Sequence, residues 1–388
     1  MRKLFIKLFL VSALAVYAVC AMCAVTGGNN QSTRLMFDVR RFANNPIIVP
    51  DMDERMAAET ERYGYANING PSLLRVPEWV ENPLGKYYLY FAHHKGEYIR
   101  LAYADDLAGP WKTYEPGALN IADSHFPTNT AKSSGIFSAA AGIWKRYPPG
   151  AAWAVTRIGI AAITAVKKRN ARGYDGSKET HPHIASPDVI VDNESRTIRM
   201  YYHGMLEDRN QMSRVAVSKD GIHFEARAEL LTSPYLRMFK YRDDYYGLSM
   251  PGMLCRSKNG LTDFEIRPKL AFGANMRHSA LLPRGSTLYV FWSRVGDTPE
   301  RILCSTIDIG PKDWKKWKAS PAVEVLRPEF EWEGADLPIV PSIRGEYPDR
   351  VHELRDPFIF EEDGRTYLLY SCAGEQAIAI AELFLKSD

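Results

Sequence analysis

Five stretches of the chain repeat one order of apolar and polar positions. Aligned on the residue before an apolar run, they read NGPSLLR from Asn69, ASPDVIV from Ala185, SMPGMLC from Ser249, RHSALLP from Arg277 and RDPFIFE from Arg355. Four of the five carry Pro in the same column, and all five continue into a largely apolar run. Most are followed by a turn and a second run rich in aromatics (KYYLYFAHH, TIRMYYHG, STLYVFWSR, RTYLLYSCA), and often by a third, as in YIRLAYADDLAGPW or RILCSTIDI. Short runs of this composition between turn residues predict strands, and their recurrence predicts a repeat architecture. The third unit is the poorest copy, with DDYYGLSM ahead of its head. Five such meanders predict an all-β chain, a five-bladed β-propeller over residues 42–385. A β-sandwich whose hairpins resemble one another is the alternative.

Two interruptions break the spacing. Between the first two units, Ser124 to Tyr174 holds eight basic residues and no acidic one, with the apolar stretch AAWAVTRIGIAAITAV at its centre. The segment 128–180 reads as an insertion between blades 1 and 2, a surface excursion rather than a membrane-touching helical hairpin, because Arg157 and the short length argue against a span. The second interruption, about Gly310 to His352, is rich in Trp, Pro and Glu and reads as an ordered loop beside the last unit.

Composition narrows the choice. Gly and Pro together number 51 and aromatics make up 12% of the 388 residues, which favours strands and turns. A net charge of +3 gives no argument for nucleic acid as a partner. Arg2, Lys3 and Lys7 precede an apolar stretch from Leu8 to Val25. That order predicts a signal peptide over residues 1–25 and an exported protein, secreted or of the cell envelope, with an uncleaved membrane anchor as the competing reading. Cys20 and Cys23 fall inside this segment; Cys255, Cys304 and Cys372 are spaced too widely for a disulfide framework or a zinc site. No nucleotide loop, G-x-S-x-G elbow or H-E-x-x-H is present, and no cofactor is expected.

In a propeller the first strand of each blade lines the central channel, so the five heads meet around one funnel. Alternation along a strand places the residues before and after the Pro column on one side. That gives the funnel Asp188, His278 and Asp356, with Arg355 holding Asp356 from the side and Pro357 fixing the strand entrance. The alternative for both carboxylates is structural, as amide acceptors or ring-closing pairs. His93 and His94 end the first aromatic run, His203 ends the second, and His181 and His183 precede the second head. Their ordinary pKa of about 6.5 suits proton transfer, and imidazoles also hydrogen-bond sugar hydroxyls. A metal held by His93, His94 and His203 is not expected, since adjacent strand residues point to opposite faces. Tyr87, Trp292, Trp314 and Trp332 are candidates for stacking on sugar rings.

These residues resemble the five-bladed β-propeller glycoside hydrolases and their relatives, the families 43, 32, 62, 117 and 130 type. The likeness rests on the blade pattern, on RDPFIFEEDGRTYLLY and on SPDVIVDNESRTIRMYYHG. It implies a divergent member acting on a poly- or oligosaccharide, with inversion of configuration. Asn69 and Gly70 stand where the family's first carboxylate would be, and the third head has no Glu. The likeness therefore extends to the variant in which a histidine serves as acid, with Asp188 or Asp356 as base to a water and His278 or His94 as proton donor. Asn69, His93, His183, His203, Arg277, Arg294 and Arg355 would bind the substrate. A non-catalytic carbohydrate-binding propeller is the competing function.

Overall fold

A computed structural model describes residues 36–129 and 181–386. The expected signal or anchor at 1–25 and the insertion, apart from Thr128 and Asn129, lie outside the described residues. Among the described residues five four-stranded sheets are formed. Blade 1 comprises β2 (Asn69–Arg75), β3 (Tyr87–Ala92), β4 (Tyr98–Ala104) and β5 (Lys112–Asn120). Blade 2 comprises β6 (Ile184–Asp192), β7 (Thr197–Met205), β8 (Gln211–Ser218) and β9 (Phe224–Ala226). Blade 3 has β10 (Arg237–Tyr241), β11 (Asp244–Ser249), β12 (Met253–Ser257) and β13 (Glu265–Ile266). Blade 4 has β14 (Met276–Arg284), β15 (Thr287–Arg294), β16 (Ile302–Asp308) and β17 (Val323–Leu326). Blade 5 has β18 (Leu354–Glu362), β19 (Arg365–Cys372) and β20 (Ala377–Lys386), with the N-terminal strand β1 (Met36–Arg41) as its outermost member.

The inner strands close a ring: β2 contacts β6, β6 contacts β10, and the series continues through β14 and β18 back to β2. This is the five-bladed propeller expected from the repeats. The second strand of each blade is buried on both faces, which is why it reads as a nearly continuous apolar run. In β3, Tyr88 and Tyr90 pack with Ile198 and Met200 of blade 2, while Leu89 and Phe91 pack with Leu369 and Ile380 of blade 5. Each such side chain contributes about 1.5–3 kcal/mol on burial.

One head was misplaced by the repeat alignment. SMPGMLC does not open blade 3: Ser249 ends β11 and Met253 begins β12, the third strand. The inner strand is the less conspicuous RMFKY of β10. Its Pro column holds Leu236, so proline marked the wrong turn.

The four inner strands that match the alignment share an irregularity. Asn69 pairs with Ala92 and Ser72 with Tyr90, so three steps on β2 oppose two on β3. The same extra residue lies between Ala185 and Asp188, between Met276 and Ser279, and between Arg355 and Phe358. Gly70, Ser186 and Asp356 adopt positive φ there, as does Tyr235 ahead of β10. These β-bulges interrupt simple alternation and re-aim the side chains around the Pro column. By pairing, Arg277 stands at the level of Gly70, and His278 takes the place of the proline.

In blades 1, 2 and 3 the position two residues after the positive φ staples the blade to the next. Ser72 Oγ accepts from Val189 N at 2.8 Å, Asp188 Oδ2 accepts from Met238 N at 2.8 Å, and Arg237 Nε donates to Ser279 O at 3.0 Å. At Gly70, with φ +61°, an added Cβ would lie 2.9 Å from the Cα of Ser186 in the next blade, whereas at Gly285, with φ +58°, it would meet nothing within 4 Å. Gly285→Ala should therefore cost only the backbone strain, about 1–2 kcal/mol, and Gly70→Ala should cost at least ~1 kcal/mol more, from the clash between blades. Urea unfolding of the two variants checks this; equal losses would show that blades 1 and 2 yield freely at their heads.

Candidate functional site

The strand starts, the ends of the second strands and the turns into the third strands share one end of the ring, and there all five blades contribute polar groups. Blade 1 supplies Asn67, Asn69, His93 and His94; blade 2, His183 and His203; blade 3, Tyr235; blade 4, Arg277, His278 and Glu300; blade 5, Glu353, Arg355, Asp356 and Glu375. All are buried.

Two carboxylate–imidazole pairs meet Tyr235, one at its ring and one at its hydroxyl. In the first, Asp356 Oδ1 contacts His278 Nδ1, and Asp356 Oδ2 accepts from Ser371 Oγ at 3.1 Å. In the second, Glu375 Oε2 lies 2.7 Å from His94 Nδ1 and accepts from Asn67 Nδ2 at 2.7 Å. Tyr235 packs its ring against His278, centroids 4.1 Å apart, and against His203 at 4.5 Å, while its hydroxyl lies 3.3 Å from His94 Nε2. A carboxylate on Nδ1 fixes an imidazole's tautomer and leaves Nε2 as its working atom.

Behind these pairs, two buried arginines are held by three glutamates. Arg355 reaches Glu353 (Nε to Oε2 2.9 Å), Glu375 (3.2 Å) and Glu300 (3.4 Å). Arg277 reaches Glu300 at 3.3 Å and lies 3.7 Å from Glu375. Both also donate to Gly345 O, and Arg277 to Ile343 O at 2.7 Å, which ties the connection between blades 4 and 5 over the cluster. Glu346 of the same connection meets Tyr65 Oη at 2.6 Å and Lys95 Nζ at 3.0 Å, on the blade 1 side. Burial opposes a charge on Glu375, yet His94, Arg355 and Arg277 hold its carboxyl well below the usual range. Glu353 moves the other way, raised by its burial.

Burial makes the surrounding imidazoles neutral. It lowers His93 to about 2 and His183 to about 4, and it holds His203 well below its ordinary value. Burial, with Arg277 adjacent, also lowers His278. His93 Nδ1 accepts from Lys95 N, so its Nε2 carries the proton; His183 Nδ1 donates to His181 O, so its Nε2 is an acceptor. Among the described residues neither Nε2 atom has a hydrogen-bond partner, nor do the buried His203 Nδ1, Ser186 Oγ and Asn69 Oδ1.

The structure thus gathers His94, His278, Asp356, Asn69, His93, His183, His203, Arg277 and Arg355 at one end of the ring. Arg355 does not hold Asp356; its partners are glutamates, and His278 holds Asp356 instead. Asp188 faces the Met238 amide and, at 3.7 Å, the Arg237 guanidinium. Arg294 is 41% exposed, lies over the Trp292 ring and pairs with Asp297 at 3.7 Å, apart from the cluster. Of the stacking candidates, Tyr87, Trp292 and Trp314 are buried, and Trp332 stacks on Phe330. Sequence reading missed Tyr235, Glu300, Glu353 and Glu375. Glu300 and Glu375 occupy the turns from second to third strand in their blades, the turn that holds His93 and His94 in blade 1, and that equivalence was the available signal.

The ring and its polar end define a five-bladed β-propeller with a buried acid–base cluster on its axis. "Uncharacterized protein R118" of Acanthamoeba polyphaga mimivirus is 32% identical over 370 residues, 89% of this chain and 90% of that protein. The chain belongs to one family with that mimivirus protein. No protein-family model matches the sequence. Among solved structures it is similar to a GH43 β-xylosidase/α-arabinofuranosidase from a compost microbial metagenome, in complex with xylotriose (12% identity, 83% of this chain and 94% of that one, TM-score 0.48). It is also similar to a GH43_1 enzyme of Xanthomonas citri (11%, 82% and 88%, TM-score 0.47) and to an exo-β-1,3-galactanase of Phanerochaete chrysosporium with β-1,3-galactotriose (10%, 82% and 60%, TM-score 0.48). At this identity no residue role carries across.

Neutral buried imidazoles link stability to pH. Unfolded histidines take a proton near pH 6.5, while His93, His183 and His203 in the fold do not. Stability is therefore complete above about pH 6.5 and falls on acidification, by about 1.4 kcal/mol per pH unit for each group, down to its folded value. Asp188, raised by burial to about 6, is protonated first in the fold and offsets one such group between about pH 6 and 4. Urea unfolding at pH 7, 6 and 5 should show this net loss, and His183→Gln should flatten the slope by about 1.4 kcal/mol per unit. A stability that is level or rises on acidification would contradict the assignment.

Proposed function

We propose that the chain is a glycoside hydrolase that cleaves a poly- or oligosaccharide, with inversion, at the polar end of the ring. The observation that carries this reading is the presence of two carboxylate–imidazole pairs, one at the ring and one at the hydroxyl of a single tyrosine, in a cluster built from all five blades. His278, its Nδ1 fixed by Asp356, serves as base: Nε2 takes a proton from the attacking water, and the carboxylate stabilises the imidazolium that forms. His94, its Nδ1 2.7 Å from Glu375 Oε2, serves as acid and delivers a proton to the leaving oxygen from Nε2, beside the Tyr235 hydroxyl. Inversion needs acid and base on opposite sides of the bond with room for a water between them, a demand that groups from separate blades can meet. The unpaired His93 Nε2–H and the acceptor at His183 Nε2 suit hydroxyl groups, which both donate and accept. Asn69, Arg277 and Arg355 position these groups, and Asp188 braces blade 3 rather than acting on substrate.

A non-catalytic carbohydrate-binding propeller is the second reading. It is favoured by the depth of burial and by Asp188, whose carboxylate is engaged by a backbone amide within the ring.

A screen of oligosaccharides and aryl glycosides tests the two. Asp356→Asn, His278→Gln and His94→Gln should each lower kcat/KM on any cleaved substrate by about 10²–10⁴-fold, while Asp188→Asn should change stability more than turnover. Binding without turnover by the wild type would favour the second reading. Cleavage that survives all three site substitutions would overturn the assignment.

A further inference from the structure

The inner strands continue past the polar cluster, and from the level of Asp188 and Arg237 onward they surround a separate hollow of about 370 Å³, within the range of small-molecule sites. Each blade supplies an apolar wall: Leu74, Val189, Met238, Leu281 and Phe360. Arg75 also lines it, half exposed and paired with Glu362 at 2.8 Å. The buried polar groups lining it are Asp188 and Arg237.

These two groups do not satisfy one another. Asp188 Oδ2 is taken by the Met238 amide, but Oδ1 has only the Arg237 guanidinium, at 3.7 Å and beyond hydrogen-bond reach. Arg237 Nε and Nη1 donate to Ser279 O and Pro187 O, and Nη2 has no partner among the described residues. The lining of the hollow therefore includes an acidic and a basic side chain, neither of whose hydrogen-bonding capacity is fully taken up by the main-chain groups they meet, against apolar walls. A hydroxyl answers both, since it donates and accepts through one oxygen. A carboxylate would face Asp188, and an ammonium would face Arg237.

We propose that this hollow is a second binding site, for a small neutral molecule with an apolar body and a single hydroxyl. It does not depend on the glycosidase reading, because it shares no side chain with the two carboxylate–imidazole pairs.

Calorimetry on the full chain with 1-hexanol, hexanoate and hexylammonium separates the head groups while keeping the body constant. Binding of 1-hexanol, with the two ions at least tenfold weaker, is expected. Leu281→Trp, and separately Ile359→Trp on the neighbouring blade, should fill the hollow and reduce 1-hexanol affinity at least tenfold. The proposal is overturned if the wild type does not bind 1-hexanol or binds all three probes alike; this ranking decides even where a filled variant fails to fold. It is also overturned if a folded tryptophan variant binds 1-hexanol as the wild type does.

Discussion

Each inner strand that carries a recognisable head skips a residue against its partner at that head, and the polar end of the ring depends on this irregularity. A regular strand would send the residues before and after the proline column to one side. With the bulge in place, Asp356 meets His278 of blade 4, while Ser72 and Asp188 reach forward to amides of the following blades. Proline fits the skipped position because no ladder hydrogen bond is lost there. The backbone at Ser186, Tyr235 and Asp356 is held at positive φ, a conformation costing of order 1–3 kcal/mol for such residues and sustained by the packing around it.

Charge compensation is the second condition. Two guanidiniums and three carboxylates are buried in one place, and each arginine is shared among several oxygens. Removing one member of such a network leaves the rest uncompensated, typically at 3–5 kcal/mol, so the network resists piecemeal change. Its cations are occupied by glutamates and main-chain carbonyls. The neutral histidines, with Ser186 and Asn69, are left with hydrogen-bonding capacity to spare.

The architecture was legible because repeated apolar runs are a property of position along the chain. Strand existence, blade number and the polar character of the heads all followed from it. The alignment failed at blade 3, where Leu236 replaces proline and a proline in a turn, Pro251, supplied a false head. Side-chain direction was less legible than strand location, since alternation holds only while the pairing is regular. Asp188 does line the hollow within the ring, but one of its carboxylate oxygens is spent as an amide acceptor and it stands apart from the polar cluster. Glu353 and Glu375 lie at the two ends of the last unit's head and second strand, yet nothing in spacing marks them as partners of Arg355. Their meeting is a product of ring closure and not of any local pattern.

The strand β1, which completes blade 5, has a consequence for synthesis. It is the first described strand to leave the ribosome and must wait for β20, the last, before its backbone groups find partners. Asn45, which exchanges hydrogen bonds with Ile380 at 2.8 and 2.9 Å, waits equally long. Until then the nascent ring is an open arc with an unpaired edge, a form prone to associating with other chains. The first and last described strands therefore join late, and the polar cluster, which draws on the first blade and the last, is complete only once they have done so.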